Sequence, residues 1–257
     1  MFVAAACALA LLAGCNNGGE KTAQTPPSVA GASIGTLNWA VSTPWRIQPE
    51  RDKYRHPMQT LSFFGVRNDA TVIEISPGAG WYTSILAPYI KEGGGRFIVA
   101  TFDPANATPQ QKTALDDFKK RFVDKPEIFG QIEMVPFSKT SGTLGPDNSA
   151  DFVLTFRNVH NFMMAGYAEK AFRDFHAVLK PGGILYVTTA RRSLFRLFTQ
   201  VGNALRQGLW LRAHSRRSIE KALTSAGFRP ERISAHLLTC GHFGGMLLEV
   251  IAKKGGQ

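Results

Sequence analysis

Residues 74–83 read EISPGAGWYT and form a glycine-rich turn. The turn follows the β-branched run ATVIEI (70–75), which predicts a buried strand. It overlaps WYTSILAPYI (81–90), which predicts a helix. Ligands of doubly wound α/β sheets bind at such strand-to-helix turns, at the carboxyl ends of the strands. Gly78 and Gly80 permit unusual backbone dihedral angles and a close approach of the backbone to a ligand.

Strand and helix patterns alternate along the rest of the chain. Further strand patterns, which end in FD, PF, TF and TA, lie at 93–103, 131–137, 151–156 and 184–190. Helix patterns lie between or after them at 108–123, 166–183 and 215–228. Two closing strands are predicted at 232–239 and 246–254. The sequence therefore predicts an α/β fold with a doubly wound, mostly parallel, seven-stranded sheet and an antiparallel C-terminal hairpin.

Two carboxylates flank the glycine turn in this predicted sheet. Glu74 ends the first strand and can accept hydrogen bonds from an ammonium group or, through water, from nearby donors. Asp103 ends the second strand, where a carboxylate typically accepts both hydroxyls of a ribose. A nicotinamide dinucleotide site needs a third glycine and room for a pyrophosphate. Here Trp81 and Tyr82 follow Gly80, so an NAD-dependent oxidoreductase is the weaker alternative.

With these features the chain resembles the class I S-adenosylmethionine-dependent methyltransferases. That family has an acid, glycines at every second position and an acid after strand two. A strand of the type aD-x-V and an LKPGG break then follow. The corresponding segments here are EISPGAG, Asp103, ADFVLTF (150–156) and LKPGG (179–183), and the resemblance covers about 51–254. RHPMQTLSFFGV, EISPGAGWYTSILAPY and TFRNVHNF also resemble predicted bacterial methyltransferases that carry secretion signals.

The resemblance implies a Rossmann-like methyltransferase fold and S-adenosylmethionine as the cofactor. The residues that it places at the cofactor lie in the glycine turn and at the ends of strands two to four. They are Glu74, Ser76, Gly78, Gly80, Trp81, Thr83, Asp103, Phe137, Ser138 and Arg157. Ser76 stands where the family has glycine. The loop VPFSKTSG after strand three lacks the family's acid, which leaves Phe137 and Ser138 to contact the adenine.

Catalytic candidates lie in the turn and in RNVHN (157–161), which follows strand four. The resemblance places this loop beside the transferred methyl group. Methyl transfer is an in-line displacement, so positioning supplies most of the catalysis. Where the acceptor must lose a proton, His160 is the candidate base, because histidine titrates near neutral pH. Asn158 is the candidate to orient substrate or cofactor, and Tyr82 to line the pocket. For His160 the alternative is a structural role, a hydrogen bond to a loop carbonyl. For Trp81 and Tyr82, which could cover the cofactor or line the substrate pocket, the alternative is packing of the first helix turn on the sheet.

The formal charge of +11 favours anionic partners. No Asp or Glu lies between Phe175 and Ile219, a stretch with seven arginines, and its apolar residues fall near helical spacing. This predicts a basic helical insertion or lid at 191–213. As a lid it would receive an anionic substrate. Alternatively, the segment 191–217 would lie on an anionic membrane. The third possibility is a helix whose basic face is solvated and whose apolar stripe packs on the core. Nucleic-acid binding is not expected, because no recognised module is present. No metal site is expected, because the six histidines are scattered.

The N-terminal residues predict export and lipid attachment. An apolar run too short to cross a bilayer ends in LAGC (12–15), which resembles a bacterial lipobox, so 1–15 is predicted to be a signal peptide. No basic residue precedes that run. Cys15 would carry the lipid and 16–37 would be a flexible tether to a domain at 38–257. The expected location is the cell envelope, on the periplasmic or extracytoplasmic side. The alternative is a buried N-terminal helix in a cytoplasmic protein.

These features support a methyltransferase that acts on a small-molecule or lipid-like acceptor. S-adenosylmethionine is made in the cytosol, so an exported enzyme would need a supply. An exported, non-catalytic protein of methyltransferase fold that binds a nucleoside-like ligand is therefore the main alternative. The glycine turn and its two acids favour ligand binding in both cases.

Overall fold

The computed structural model describes residues 31–190, 216–240 and 243–255. The predicted signal peptide at 1–15 with Cys15, most of the tether at 16–37 and the basic helix at 191–213 lie outside the described residues. Within the described part, no helix combines the length and apolarity that crossing a bilayer requires.

Seven strands form one sheet and confirm the predicted fold class. Their bounds are β1 (Thr71–Ile75), β2 (Arg96–Thr101), β3 (Ile132–Pro136), β4 (Ala150–Phe156), β5 (Leu179–Ala190), β6 (Phe228–Cys240) and β7 (Phe243–Lys254). The order across the sheet is β3-β2-β1-β4-β5-β7-β6. Strands β1 to β5 are parallel, whereas β7 runs antiparallel to β5 and β6. The strand order reverses between β1 and β4, where doubly wound folds bind their ligands.

Helices cover both faces of the sheet. Their bounds are α1 (Leu37–Ser42), α2 (Asp52–Arg55), α3 (Pro57–Phe64), α4 (Thr83–Glu92), α5 (Pro109–Phe118), α6 (Pro126–Phe129), α7 (Val159–Met164), α8 (Ala168–Val178) and α9 (Arg216–Ser225). A 3₁₀ turn at Pro49–Arg51 precedes α2, and a π-helical turn at Lys119–Val123 continues α5.

Alternate residues of the central strands enter two separate hydrophobic cores. Val72 and Leu154 pack on the face that carries α1, α3 and α4, while Ile73 and Val153 pack on the face of α7 and α8. All four side chains are fully buried. Burial on both faces explains why these strands are nearly continuous apolar runs, as expected for a parallel sheet.

The structure differs from the sequence expectation at the end of α8. The helix ends at Val178 rather than at the predicted Pro-Gly-Gly break, and β5 begins at once with Leu179. The β4–β5 register shifts after Leu179 and resumes where Phe152 pairs with Ile184. Gly182 has φ +78, so the chain bulges there before the strand continues.

Candidate functional site at the carboxyl edge of the sheet

The glycine turn leaves β1 through a series of left-handed residues. Ser76, Gly78 and Gly80 have φ values of +52, +61 and +85. The Ser76 amide donates a hydrogen bond to the Ala100 carbonyl at 2.7 Å, which joins the turn to the end of β2. For a residue with a side chain this conformation costs about 1–2 kcal/mol. Ser76 therefore takes a backbone conformation that suits glycine, which is the residue at this position in the family that the chain resembles.

The two glycines of the turn meet different surroundings. A Cβ atom on Gly78 would have no neighbour within 4 Å, so the backbone is open to an approaching ligand. A Cβ atom on Gly80 would overlap the ring of Phe122 and lie 3.2 Å from Phe118. The π-helical turn after α5 brings Phe122 to this place. Gly80 is thus required by packing, and Gly78 forms the accessible part of the turn.

Glu74 lies directly beneath the turn, with 1% of its surface exposed. Its carboxylate accepts a hydrogen bond from the Thr83 hydroxyl at 2.6 Å, which links the end of β1 to the first residue of α4. Burial raises the pKa of Glu74 to about 7, and the hydrogen bond from Thr83 offsets part of that rise. A cation brought to this carboxyl would favour its ionised form.

Asp103 lies at the same edge, two residues beyond β2. Its two carboxylate oxygens accept hydrogen bonds from the Ala105 amide at 3.0 Å and the Asn106 side-chain amide at 2.7 Å. These bonds fix the orientation of the carboxylate. An ionised carboxylate offers about four acceptor positions, so capacity remains for hydroxyl donors of a ligand.

Asn158, two residues after the end of β4, hydrogen-bonds the glycine turn. Its side-chain amide donates to the carbonyl oxygens of Ile75 at 3.1 Å and Ser76 at 3.2 Å. Arg157 is exposed and has φ +62, and its amide donates to the Thr188 carbonyl on β5 at 2.9 Å. His160 follows in the first turn of α7 and is half-buried. Asn158 and Arg157 thereby hold β1, β4 and β5 in one arrangement.

Trp81 and Tyr82 are buried, with 4% and 6% of their surfaces exposed. Tyr82 stacks on Phe156, at the end of β4, with a centroid distance of 3.6 Å and an interplanar angle of 12°. The Trp81 indole packs edge-on against Tyr82 at 4.7 Å, and its N–H donates to the Gln48 carbonyl at 3.1 Å. Packing, one of the two roles left open for these rings, is therefore present.

Phe137 and Ser138 lie in the loop after β3. The Phe137 ring is 3% exposed and lies in the second hydrophobic core, 5.4 Å from Phe162 and 5.7 Å from Phe175. Its ring therefore packs in the core, and the contact with adenine stays a prediction. The Ser138 hydroxyl accepts hydrogen bonds from the amides of Thr140 and Ser141, at 3.3 and 3.0 Å, and so stabilises the loop itself.

Three arginines around Trp81 escaped the sequence analysis. Arg46, Arg51 and Arg55 approach its indole from the N-terminal segment. No spacing rule connects these three residues with a tryptophan 26 to 35 residues later in the chain. Among the described residues, no group of three or more His, Cys, Asp or Glu is placed to hold a metal ion.

A doubly wound sheet with a glycine turn at its switch point defines a Rossmann-like α/β protein. The sequence profile of the methyltransferase domain family matches residues 48–233, and the chain therefore belongs to that family. No curated protein matches the sequence significantly.

Solved structures share the fold at low sequence identity. A SAM-dependent methyltransferase from Aquifex aeolicus aligns with a TM-score of 0.57 and 19% identity, over 80% of this chain and 94% of that one. Magnesium protoporphyrin IX methyltransferase from Synechocystis, with bound SAH, aligns with a TM-score of 0.54 and 14% identity, over 79% and 83% of the two chains. The [4+2]-cyclase SpnF aligns with a TM-score of 0.56 and 14% identity, over 84% and 86%.

Membership of the methyltransferase family indicates S-adenosylmethionine as the cofactor. The residues present fit such a group. Gly78 offers open backbone, Glu74 offers a buried carboxyl that a cation would ionise, and Asp103 offers an oriented carboxylate at the end of the next strand.

Proposed function

We propose that this protein is an S-adenosylmethionine-dependent methyltransferase that acts on a small-molecule or lipid-like acceptor. One observation carries the proposal. The open backbone of Gly78 lies at the switch point of the sheet, in the turn that follows the buried carboxyl of Glu74, and the oriented carboxylate of Asp103 follows the neighbouring strand β2. This arrangement suits a nucleoside with a charged amino-acid tail and no pyrophosphate.

Each part of the site has a defined task in binding. Glu74, with a pKa of about 7, would accept the ammonium group of the methionine part and become ionised as it does so. Ser76 and Gly78 would allow that part to approach the turn. Asp103 would accept the ribose hydroxyls, since its carboxylate retains free acceptor positions. When bound, S-adenosylmethionine supplies a methyl group on a positively charged sulfur.

The remaining residues would position the acceptor. Asn158 holds the exit of β4 against the glycine turn, and Tyr82 and Phe156 form a stacked pair beside it. An in-line displacement depends mainly on this alignment. His160, half-buried on α7, is our candidate to take a proton from an acceptor that must lose one.

Calorimetry of the full chain with S-adenosylmethionine, S-adenosylhomocysteine and NAD tests the proposal. We expect the first two to bind and NAD not to bind. Absence of binding by both adenosyl compounds would refute the proposal. Binding of S-adenosylmethionine without methyl transfer to any carboxylic acid, phosphorylated compound or lipid extract tested would favour the non-catalytic alternative.

We also propose that the protein is anchored in the cell envelope through a lipid on Cys15. The support is the LAGC motif at 12–15 after a short apolar run. Replacement Cys15→Ser should move the protein from the membrane fraction to the soluble fraction, with Cys240→Ser as the matched control. Unchanged fractionation of Cys15→Ser would contradict the anchor.

A further inference from the structure

Arg157 has a backbone conformation that residues other than glycine rarely adopt. Its φ is +62, in the left-handed region, and it lies one residue beyond the end of β4. Asparagine and aspartate visit this region more often, because their short side chains can hydrogen-bond locally, whereas arginine has no such compensation. Strained residues of this kind gather at functional sites, where the surrounding structure enforces the strain. A long basic side chain at this position is thus not explained by the fold.

Hydrogen bonds on both sides hold this strained backbone in place. The Arg157 amide donates to the backbone carbonyl and to the hydroxyl of Thr188 on β5, both at 2.9 Å. The next residue, Asn158, donates its side-chain amide to the carbonyl oxygens of Ile75 and Ser76, at 3.1 and 3.2 Å. Ser76 is itself left-handed, with φ +52. The exit of β4 and the glycine turn therefore form one frame around the switch point, set before any ligand arrives.

The guanidinium group of Arg157 takes no part in this frame. Only the backbone amide contributes to it, and the side chain is exposed. In the part of the chain that the structure describes, no hydrogen bond or ion pair to this guanidinium is formed. Three other surface arginines, Arg67, Arg96 and Arg173, each form an ion pair with an acidic side chain. Within the described residues, the donors of the Arg157 side chain are thus available to a ligand.

The strand order places Arg157 on the far side of the glycine turn from Asp103. Asp103 follows β2, the turn follows β1 and Arg157 follows β4, and these three parallel strands are neighbours in that order. In the proposed cofactor site the ribose would lie at Asp103, and the ammonium group would lie at Glu74, beneath the turn. The edge beyond β1 is therefore left for the acceptor, and Arg157 lies on it.

We propose that the guanidinium group of Arg157 binds an oxyanion of the methyl acceptor, a carboxylate or a phosphate. This inference rests on the proposed function, because it names the class of acceptor for that same site. A guanidinium presents its N–H donors in a planar fork that matches two oxygens of either group. The net charge of +11 also favours anionic partners. The acceptor is thus an acid or a phosphorylated compound, and the strained arginine selects it.

The test uses the full chain saturated with S-adenosylhomocysteine and titrated with inorganic phosphate at constant ionic strength. We expect saturable binding in calorimetry and a phosphate-dependent shift of the NMR signal of the Arg157 Nε–H group. Arg157→Gln should weaken phosphate binding at least about tenfold, because charge-assisted hydrogen bonds are lost. Arg229→Gln is the matched control, because it removes the same charge from an exposed arginine at the opposite edge of the sheet. Phosphate binding should survive in that variant.

A glycine variant separates binding from folding. Arg157→Gly keeps the backbone amide that donates to Thr188, and glycine suits the left-handed conformation. We therefore expect its melting temperature to stay close to that of the unsubstituted protein, while phosphate binding weakens as in Arg157→Gln. A large fall in melting temperature would show that the arginine side chain serves the fold, and it would overturn the inference.

The carboxylate of the cofactor itself is the other oxyanion of the proposed complex, and a second comparison distinguishes it. 5′-Methylthioadenosine has the adenosine and the thioether of S-adenosylhomocysteine but no amino-acid tail. Arg157→Gln should bind both compounds as the unsubstituted protein does. A loss of about tenfold in affinity for S-adenosylhomocysteine alone would assign Arg157 to the cofactor's carboxylate and refute the acceptor role. Phosphate binding that is absent in the unsubstituted protein, or unchanged in Arg157→Gln, would refute it too.

Failure of the proposed function is distinguishable from failure of this inference. If neither S-adenosylmethionine nor S-adenosylhomocysteine binds the unsubstituted protein, the proposed function fails. The phosphate titration of the unliganded protein and of Arg157→Gln then still measures the anion site by itself. If S-adenosylhomocysteine binds and phosphate does not, the anion site alone is refuted.

Discussion

Replacing Glu74 by glutamine should change how stability depends on pH. The carboxyl is 1% exposed and its pKa rises from 4.5 to about 7 on folding. A raised pKa means that the folded state holds the proton more tightly than the unfolded chain. The contribution of Glu74 is therefore complete below pH 4.5 and is lost as the pH rises towards 7. Glutamine removes the titration while its carbonyl can still accept the hydrogen bond from Thr83.

The magnitude follows from the shift. Each pKa unit corresponds to about 1.4 kcal/mol, so the folded protein should lose about 2–3 kcal/mol from this one group between pH 5 and pH 8. The Glu74→Gln variant should lose none of it. For a domain of this size the difference amounts to about 5–10 °C in melting temperature. The other titrating groups contribute equally to the pH dependence of both proteins, so their contributions cancel in the difference.

Urea unfolding at pH 5, 6, 7 and 8 measures the effect, with Asp151→Asn as the matched control. Burial tends to raise the pKa of Asp151, but the hydrogen bond from the Thr71 amide and the ion pair with Lys180 bring it below the ordinary value. Its titration therefore lies below this range, and the difference between Asp151→Asn and the unsubstituted protein should be constant from pH 5 to 8. A constant difference for Glu74→Gln as well would show that Glu74 is not a protonated, buried acid near neutral pH.

The other predictions concern the turn and the acid after β2. Gly80→Ala should lower the free energy of unfolding by about 3 kcal/mol, because its methyl group would overlap Phe122 at a left-handed position, and urea unfolding measures this. Gly78→Ala should lower the free energy of unfolding by only about 1 kcal/mol and should instead weaken S-adenosylmethionine binding. Equal losses of stability in Gly78→Ala and Gly80→Ala would contradict the difference in packing around the two glycines. Ser76→Gly should leave stability within about 1 kcal/mol, because relief of strain is offset by a more flexible unfolded chain, whereas a larger loss would mean that the serine side chain is needed. Asp103→Ala should weaken S-adenosylmethionine binding in calorimetry by about 1–3 kcal/mol, and unchanged affinity would refute the ribose assignment.

The alternation of elements and the position of the turn were predictable from the sequence. Val72 and Ile73 belong to an apolar run of strand length, and Thr108 begins a helix with the side-chain cap that its sequence indicates. These signals are local, since strand length, helical spacing and capping each involve residues close together in the chain. The location of Glu74 and Asp103 at one edge of the sheet was predictable too, because adjacent parallel strands end at the same edge.

The pairings between distant segments were not predictable in this way. Nothing in the sequence around Phe137 shows that its ring packs against Phe162 of α7 and Phe175 of α8. Likewise, no local signal shows that Phe122 occupies the space beside Gly80. Both depend on where a helix lies against the sheet, and many apolar residues of similar size would satisfy the same local pattern.

The sequence by itself determined the doubly wound fold, the glycine turn and the two acids, because hydrophobic periodicity and turn residues specify local backbone structure. Only the tertiary structure decided which glycine is open, how strongly burial raises the pKa of Glu74, and that Arg51 and Arg55 meet Trp81. These properties arise from contacts between residues far apart in the chain. Burial and electrostatic surroundings do not exist until those segments pack together.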